Sequence, residues 1–382
     1  MRADSIVRQV LRDVEGKVHR ARLNAVTAAA VALIHGGQVG LAALGRAIGV
    51  RSHKHGIKRI DRLLGNDALA SELELFYAAL TRYVVRTMKR PVILLDWSEV
   101  GAGKWVLTAA VPIQGRAITI HSVVVPTSKY TAASVERKFL ATLRGFFDKN
   151  CRPILVGDAG FRAPWMKRVR AEGWDFVVRV RGRTLVQRSG EATWQPWKEL
   201  WTQVRRTPRT LGAYLIVRNQ RVEARLIAAD QRTRTKHRAA TRSRSAPAMR
   251  ARRAYKEPWV LATSLDLPAE QIVKLYAARM QIELTFRDLK SHRFGWGLED
   301  ARCRSTQRTA IQIMLVAIAS LVTLLVGFAA EQDGLRRHFQ ANTIRNRRVL
   351  SLVALGRAVL ATQCERIRIV TVHDHLPFVG IP

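Results

Sequence analysis

One apolar segment constrains the fold of this chain more than any other feature. Residues 310–330 have the sequence AIQIMLVAIASLVTLLVGFAA, in which Gln312, Ser320 and Thr323 are the polar interruptions. At about 1.5 Å per residue a helix of this length could cross a bilayer, but a helix that is hydrophobic all round also occupies the centre of large soluble domains. No second span accompanies it. We therefore expect a buried core helix, with a membrane span as the alternative.

The charge of the chain indicates a polyanionic partner. The 382 residues are enough for two or three domains, and the hydrophobic fraction of 48% excludes a wholly disordered chain. Lys and Arg number 65 against 29 Asp and Glu, which gives a formal net charge of +36. Because a folded chain with this excess repels itself, we expect it to bind nucleic acid or an anionic membrane surface.

The cysteines predict a reduced, cytoplasmic protein. Cys151, Cys303 and Cys364 lie far apart, and three cysteines cannot close a disulfide framework. No Cys-x-x-Cys pair occurs, so structural zinc is not expected. The N-terminal residues show no apolar signal core, so export is not expected either.

The region 1–89 has a helical pattern. We expect a long helix that breaks at Gly36 and Gly37, a second helix at 41–48 and a third segment at 58–64. The third segment follows a basic turn that contains Arg51, His53, Lys54 and His55. Short helices joined in this way resemble a helix-turn-helix DNA-binding region. The alternative is an ordinary helical bundle with a solvated basic face.

The region 90–181 alternates between strand and helix patterns. The expected strands are 92–95, 105–111, 117–125, 154–156 and 176–180, and the expected helices are 133–147 and 164–171. This order predicts an α/β fold with a ribonuclease-H-like core, a mixed sheet flanked by helices.

The rest of the chain predicts an insertion and a return to the core. Region 182–258 has short alternating segments typical of an antiparallel β-rich insertion, and its part 232–256 is a basic loop without one acid. Region 259–330 completes the core with a strand at 259–263 and a long helix from Pro268 to about Lys290. Region 331–382 is expected to be helical.

Two acids follow apolar strands of the predicted core. Asp96 comes directly after the first strand, and Asp158 comes after the fourth strand with one Gly between. A carboxylate at the end of a buried strand projects into the crevice where α/β sheets bind ligands, although such an Asp is often a turn former or a helix cap. Together the two acids suggest a shared metal site.

The long helix carries a polar stripe beside its apolar face. At 100° per residue the members of this stripe fall within a narrow sector: Tyr276, Arg279, Glu283 and Lys290. The apolar residues fall on the adjoining face: Leu275, Ile282, Phe286 and Leu289. An exposed ladder of salt bridges is the alternative interpretation, because Arg279 and Glu283 are four residues apart.

The pattern Tyr-x-x-Arg-x-x-x-Glu-x-x-x-x-x-x-Lys resembles the signature of bacterial insertion-sequence DDE transposases of the IS-four family. The chain matches it at Tyr276, Arg279, Glu283 and Lys290, and the likeness in element order covers nearly the whole chain. One departure is Ala159-Gly160 after the second acid, where an arginine commonly follows.

The resemblance implies a cut-and-paste DNA transposase that hydrolyses DNA and transfers strands at the ends of an insertion sequence. It implies that Asp96, Asp158 and Glu283 are catalytic ligands of Mg²⁺ or Mn²⁺, with two ions. Hard divalent cations prefer such oxygen ligands, and two of them can support an in-line displacement at phosphorus.

The same resemblance implies the DNA contacts and the partners. Tyr276, Arg279 and Lys290 would hold the backbone of the transposon end, and Trp259 would stack on a flipped base, unless it packs in the core. The implied partners are the double-stranded DNA of the transposon ends and the target, bound by a dimer on paired ends. The expected location is the cytoplasm, on the nucleoid.

Two other functions stay open: a catalytically silent DNA-binding protein derived from a transposase, and another ribonuclease-H-like nuclease such as a junction resolvase. The histidines of 53–55 and 373–375 could suggest metal sites, but such pairs are more typical of polar surface. The sequence has no Gly-rich phosphate loop, so it does not suggest the use of ATP.

Overall fold

A computed structural model describes residues 3–86, 88–113, 115–230, 257–293, 295–341, 343 and 349–362. The helices are α1 Ala3–Val10, α2 Arg20–Gly36, α3 Leu41–Ala47, α4 His53–Leu64, α5 Asp67–Ser71, α6 Leu73–Val85, α7 Ala133–Phe146, α8 Ala163–Ala171, α9 Ala269–Ala277, α10 Met280–Lys290, α11 Thr306–Gln332, α12 Arg336–Phe339 and α13 Leu352–Ala361. The strands are β1 Val92–Glu99, β2 Lys104–Ile113, β3 Arg116–Pro126, β4 Ile154–Gly157, β5 Asp175–Arg179, β6 Leu185–Arg188, β7 Gln195–Pro196, β8 Arg209–Ile216, β9 Val222–Ala229 and β10 Trp259–Thr263. The basic loop 232–256, the histidines of 373–375 and Cys364 lie outside the described residues.

The described residues form two compact units. Unit 1 draws them from Met1–Cys151 and Met280–Pro382, and unit 2 draws them from Arg152–Arg279. The finer division into the five regions 1–89, 90–181, 182–258, 259–330 and 331–382 stays a proposal.

The first helices of unit 1 follow the glycine signals of the sequence. Helix α2 ends at Gly36, and Gly37 takes a left-handed conformation (φ 72°) while its N–H donates to the Leu33 carbonyl at 2.8 Å. Helix α4 starts at His53, earlier than the expected segment, because the helix continues through Gly56, whose missing side chain lets it pack against α3. His53, Lys54 and His55 therefore lie in the first turn of α4, and the expectation that they form a separate basic turn was wrong.

Two glycines let α3 and α4 approach each other closely. A Cβ atom on Gly45 would lie 2.5 Å from the Cα of Ile57, and one on Gly56 would lie 2.1 Å from the Gly45 carbonyl oxygen. Real Cβ atoms do not come this close, so the contact requires glycine at both positions. The result is a tightly packed helix pair with a short connection.

The sheet of unit 1 contains β1, β2 and β3, in the order β3-β2-β1, and all its pairings are antiparallel. The register shifts between Ala109 and Ala110 in the β2–β3 ladder, as at a β-bulge. Strand β2 is almost wholly buried, as expected of a central strand.

Helix α11 is the core helix that the apolar segment predicts. It packs against β3, α2 and α13. Among the described residues it is the one unbroken helix long and apolar enough to cross a bilayer, and 94% of its most apolar window is buried inside the protein. The expectation of a buried helix is confirmed. Its crossing with α13 depends on Gly327 and Gly356, because a Cβ atom at either position would lie about 2 Å from a backbone carbonyl of the other helix.

Unit 2 contains a mixed sheet. Strands β4 and β5 are parallel, and the neighbouring β5–β10, β10–β9, β9–β8, β8–β6 and β6–β7 pairs are antiparallel. Because β6 to β9 come from region 182–258, the antiparallel insertion expected there is confirmed. Parallel β4 and β5 are joined through α8, the helix expected at 164–171.

The long helix expected from Pro268 to Lys290 is two helices. Helix α9 ends at Ala277, Ala278 and Arg279 form a turn, and α10 begins at Met280. The prediction of one continuous helix was wrong. The stripe calculated at 100° per residue therefore does not extend from Tyr276 to Lys290, because the calculation assumes an unbroken helix.

Candidate active site

Asp96 lies within strand β1, at the point where the strand changes from buried to partly exposed residues. Strand β1 continues to Glu99 and does not end at Leu95, because Asp96 and the residues after it still pair with β2, with Asp96 opposite Thr108. The residues before Asp96 in β1 are buried, whereas Asp96 is partly exposed. Its Oδ1 accepts a hydrogen bond from the Trp97 N–H at 2.9 Å. This carboxylate is thus held by the backbone and still reaches solvent.

Helix α10 is fixed on the sheet of unit 1 by polar and apolar contacts. The Thr285 hydroxyl donates to the Ala117 carbonyl at 3.0 Å and accepts from the Ala117 N–H at 2.9 Å. Asp288 forms an ion pair with Arg116 of β3. The buried side chains of the helix are Ile282, Phe286 and Leu289. Glu283 is partly exposed in the first turn of this anchored helix.

Lys290 ends α10 within electrostatic reach of Asp96. Burial lowers the pKa of the Lys290 ammonium, whereas Glu299, Glu99 and Asp96 act in the opposite direction. The three carboxylates offset part of the desolvation cost of this half-buried ammonium. Unit 1 therefore brings together the first acid and the last cation of the candidate set.

Asp158 directly follows β4 in unit 2. Its Oδ1 accepts from the Gly160 N–H at 2.8 Å, which forms a tight turn after the strand. The close turn also places the Phe161 ring against Gly157, where a Cβ atom would lie 2.5 Å from the ring. Asp158 is partly exposed, so its carboxylate shapes the turn and also reaches solvent.

Tyr276 joins several of the candidate residues of unit 2. Burial raises the pKa of the Tyr276 hydroxyl, the nearby Arg279 and Arg179 guanidinium groups lower it, and Asp158 raises it. The Tyr276 ring is 5% exposed and contacts the ring of Trp259, which is partly exposed. Unit 2 thus brings together the second acid and three of the residues assigned to DNA.

A comparison with protein families decides the class of this protein. The family model described as the transposase DDE domain matches residues 88–322, more than half of the chain. The chain belongs to the DDE transposases. Such an enzyme is a metal-dependent polynucleotidyl transferase with a ribonuclease-H-like domain, so the predicted enzyme class and fold class are confirmed. No curated protein matches the chain.

The transposase holds its candidate acids in different units. Asp96 and Glu283 belong to unit 1, and Asp158 belongs to unit 2. Within either unit taken by itself, the described residues contain no group of three His, Cys, Asp or Glu side chains that could hold a metal ion. The assignment of these three acids as the metal ligands of the transposase stays a prediction.

Arg179 is a residue of this site that the sequence analysis missed. Its Nη2 donates to the carbonyls of Glu257 at 3.0 Å and Pro258 at 3.5 Å, directly before Trp259. Burial lowers the pKa of the Arg179 guanidinium, and Tyr276 and Glu257 partly restore it. The sequence shows only an arginine within the apolar run 176–180, and nothing in that run indicates its contacts with Glu257 and Pro258. Arg179 fixes the chain that leads into Trp259.

Helix α4 presents the basic surface of the N-terminal region. Its exposed side chains are His53, Lys54, His55, Lys58, Arg59 and Arg62. Ile60, Leu63 and Leu64 bury the opposite face. In a transposase such a face suits the phosphate backbone of DNA.

Proposed function

We propose that this DDE transposase moves an insertion sequence of the IS-four family by a cut-and-paste reaction, with hydrolysis and strand transfer at the element ends. The observation that carries the proposal is the position of α10, which Thr285 and Asp288 fasten to the sheet that contains β1, so that Lys290 lies within electrostatic reach of Asp96. The match to the transposase DDE domain over both supports it.

We assign the metal ligands to Asp96, Asp158 and Glu283. Each is a partly exposed carboxylate on a defined strand, turn or helix, and such oxygen donors fit Mg²⁺ or Mn²⁺. When bound, two divalent ions would supply Lewis-acid activation of the attacking hydroxyl and stabilisation of the leaving oxygen. The carboxylates themselves hold negative charge at the place where the backbone phosphate must bind, so cations of the protein have to offset the repulsion.

We assign that role to Arg279 and Lys290. Both are partly exposed, and a guanidinium and an ammonium bind phosphate as a fork and as a point charge. Tyr276 is buried, so we infer that it acts on DNA mainly by orienting Arg279 and supporting Trp259. Trp259 keeps exposed surface, which suits a stacking contact with a flipped base.

The proposed partners are the double-stranded transposon ends and the target DNA. The net charge of +36 and the basic face of α4 favour a polyanion, and we assign end recognition to the N-terminal helices. We propose a dimer on paired ends that works in the cytoplasm on the bacterial nucleoid.

A cleavage assay tests the proposed function. The purified protein is incubated with a duplex that carries the DNA bordering its element, with Mg²⁺, with Mn²⁺ or with EDTA. We expect strand cleavage at the element boundary in either metal and none in EDTA. A protein that binds this duplex and never cuts it would be a silent DNA-binding derivative, and cleavage at branched DNA alone would indicate a junction resolvase.

A further inference from the structure

The N-terminal helices of unit 1 are fastened to the segment that follows the catalytic helix α10. We call the set of contacts the clasp. On the N-terminal side it consists of Val39, Asp61 and Asp67, and on the other side it consists of Trp296, Gln307, Arg308 and Gln312. The contacting residues of the two sides are at least 240 residues apart in sequence, as the pairs Gln307–Asp67 and Arg308–Asp61 show.

The first part of the clasp holds the turn between α2 and α3. The Val39 N–H donates to the Trp296 carbonyl at 2.8 Å, and the Val39 carbonyl accepts from Gln312 Nε2 at 3.1 Å. Both hydrogen bonds are shielded from water, because Val39, Trp296 and Gln312 are each 1% exposed or less. The backbone before α3 is therefore fixed on both sides.

The second part holds the C-terminal end of α4. Arg308 Nη1 donates to Asp61 Oδ1 at 2.7 Å, and the guanidinium lies beside Gly65 at the end of the helix, where a cation also complements the helix dipole. Gln307 Nε2 donates to Asp67 Oδ1 of α5 at 2.8 Å. Because Arg308 and Gln307 stand in the first turn of α11, the start of this core helix holds α4 and α5 together.

The clasp continues directly into α10. The Trp296 N–H donates to the Asp288 carbonyl at 2.7 Å, so Trp296 connects Val39 on one side with α10 on the other. The guanidinium of Arg357 lies over the Trp296 ring at 4.2 Å and holds it in place. Two backbone hydrogen bonds thus link the segment that leads into α3 with α10, the helix that carries Glu283 and Lys290.

We propose that the clasp fixes the distance along the DNA between the sequence bound by α3 and α4 and the bond that is cut. The inference rests on the proposed function. A duplex held on the basic face of α4 keeps a constant offset from α10 only if both helices belong to one rigid unit. Asp61, Arg308, Gln307 and Asp67 are then positioning residues, since they act through the helices and do not touch the reacting atoms.

The experiment breaks the clasp from each side. One double variant is Asp61→Ala with Asp67→Ala, which removes two acids, and the other is Gln307→Ala with Arg308→Ala, which removes one cation. Their effects on net charge are opposite, so a change shared by both cannot come from charge alone. Arg336→Ala is the matched control, because it removes one cation beyond the far end of α11, where Arg336 pairs with Glu331 at 3.7 Å.

The readouts are the affinity for the element-end duplex and the cut position mapped to the nucleotide. We expect both double variants to cut the wild-type bond about 10- to 100-fold more slowly and to cut neighbouring bonds, because misplacing a reacting group by about 1 Å can cost on the order of 100-fold. Affinity should change less than about threefold, since the phosphate contacts of α4 remain. A variant that exchanges the two charges, Asp61→Arg with Arg308→Asp, keeps an ion pair at this place and should cut the wild-type bond alone.

Each other outcome overturns the inference. Cutting at the wild-type bond and rate in both double variants would show that the clasp does not set the position. A loss of affinity as large as the loss of cleavage would show that these contacts only keep α4 folded. A wild-type protein that does not cut its element end would overturn the proposed function and this inference with it, whereas accurate cutting by every variant overturns the inference alone.

Discussion

The rings of Trp259 and Tyr276 meet edge to face, with centroids 4.8 Å apart and an angle of 79° between their planes. Tyr276 is buried, while Trp259 keeps part of its surface in solvent. The arrangement supports the indole from the protein side, and Arg179 fixes the chain just before it through the Glu257 and Pro258 carbonyls. A supported, partly exposed indole is suited to stacking on a base.

Trp259→Ala should slow the step after the first nick more than it weakens DNA binding or folding. Stacking of a base on an aromatic ring contributes about 1–3 kcal/mol, which corresponds to roughly 5- to 160-fold in rate. An abasic site at the flipped position should partly relieve the defect. Trp201→Ala, which removes an exposed tryptophan of the same unit, is the control. A variant that unfolds at lower temperature but reacts normally when folded would make Trp259 a core residue.

Asp96→Ala, Asp158→Ala and Glu283→Ala should each abolish strand cleavage and leave end binding largely intact. Loss of a metal ligand removes several kcal/mol of transition-state stabilisation, or at least about 100-fold in rate, while no positive charge leaves the DNA-binding surface. Single-turnover cleavage and a gel-shift titration measure the two effects. Glu270→Ala removes an exposed acid of α9 and should behave as wild type. Near-wild-type cleavage by one variant removes that residue from the site.

DNA affinity should fall steeply as salt rises. Each neutralised phosphate steepens the slope of log affinity against log salt by about 0.9 for duplex DNA, because counterions are released. Replacing Lys58 and Arg59 of α4 with Ala should therefore reduce the slope by about 1.8 in a fluorescence-anisotropy titration. The Arg336→Ala variant should keep the wild-type slope. An affinity that does not depend on salt would contradict the polyanion argument.

His121 should make the stability of the protein depend on pH. It is 1% exposed in β3 and packs against the rings of Tyr77, Phe139 and Phe146. Neither ring nitrogen has a hydrogen-bond partner among the described residues, and burial lowers the pKa of His121 to about 3. The imidazole is therefore neutral in the folded protein at neutral pH.

An unfolded chain has His121 with a pKa near 6.5, so below that pH it binds a proton that the folded protein excludes. Stability should fall as the pH drops from 6.5 towards 3, by about 2 kcal/mol from this residue between pH 7 and pH 5. His121→Phe should reduce that pH dependence by the same amount in urea unfolding. If His121→Phe loses as much stability between pH 7 and pH 5 as the wild type does, His121 is not a source of the pH dependence.

Gly356→Ala should destabilise the fold by about 1–3 kcal/mol, the usual cost of an overpacked contact. The added Cβ would lie 2.0 Å from the Thr323 carbonyl oxygen, so α11 and α13 would have to move apart. Gly145→Ala in the exposed part of α7 meets no atom within 4 Å and should be neutral or slightly stabilising. Thermal unfolding of both variants tests the comparison, and equal melting temperatures would show that the crossing tolerates a methyl group.

The sequence predicted the features that leave a local pattern. The apolar runs 92–95 and 154–156 marked β1 and β4, Gly37 marked the end of α2, and Asp96 and Asp158 were singled out because they come just after those runs. Other features leave no such pattern. Ala277 and Ala278 favour a helix, so nothing local indicated the turn that separates Tyr276 from Glu283. Arg179 and the clasp depend on contacts between distant segments, which periodicity does not encode.

The position of α11 has a consequence for damaged copies of the gene. A copy truncated before residue 306 would still encode Asp96, Asp158 and Glu283, and a search for the three acids would score it as intact. Its product would lack both α11 and α13, and it would leave the apolar faces of β3 and α2 that pack against α11 in water. Such a chain would be unfolded for a larger fraction of the time and more open to cellular proteases. An intact α11 is therefore a condition for a working copy, in addition to the three acids.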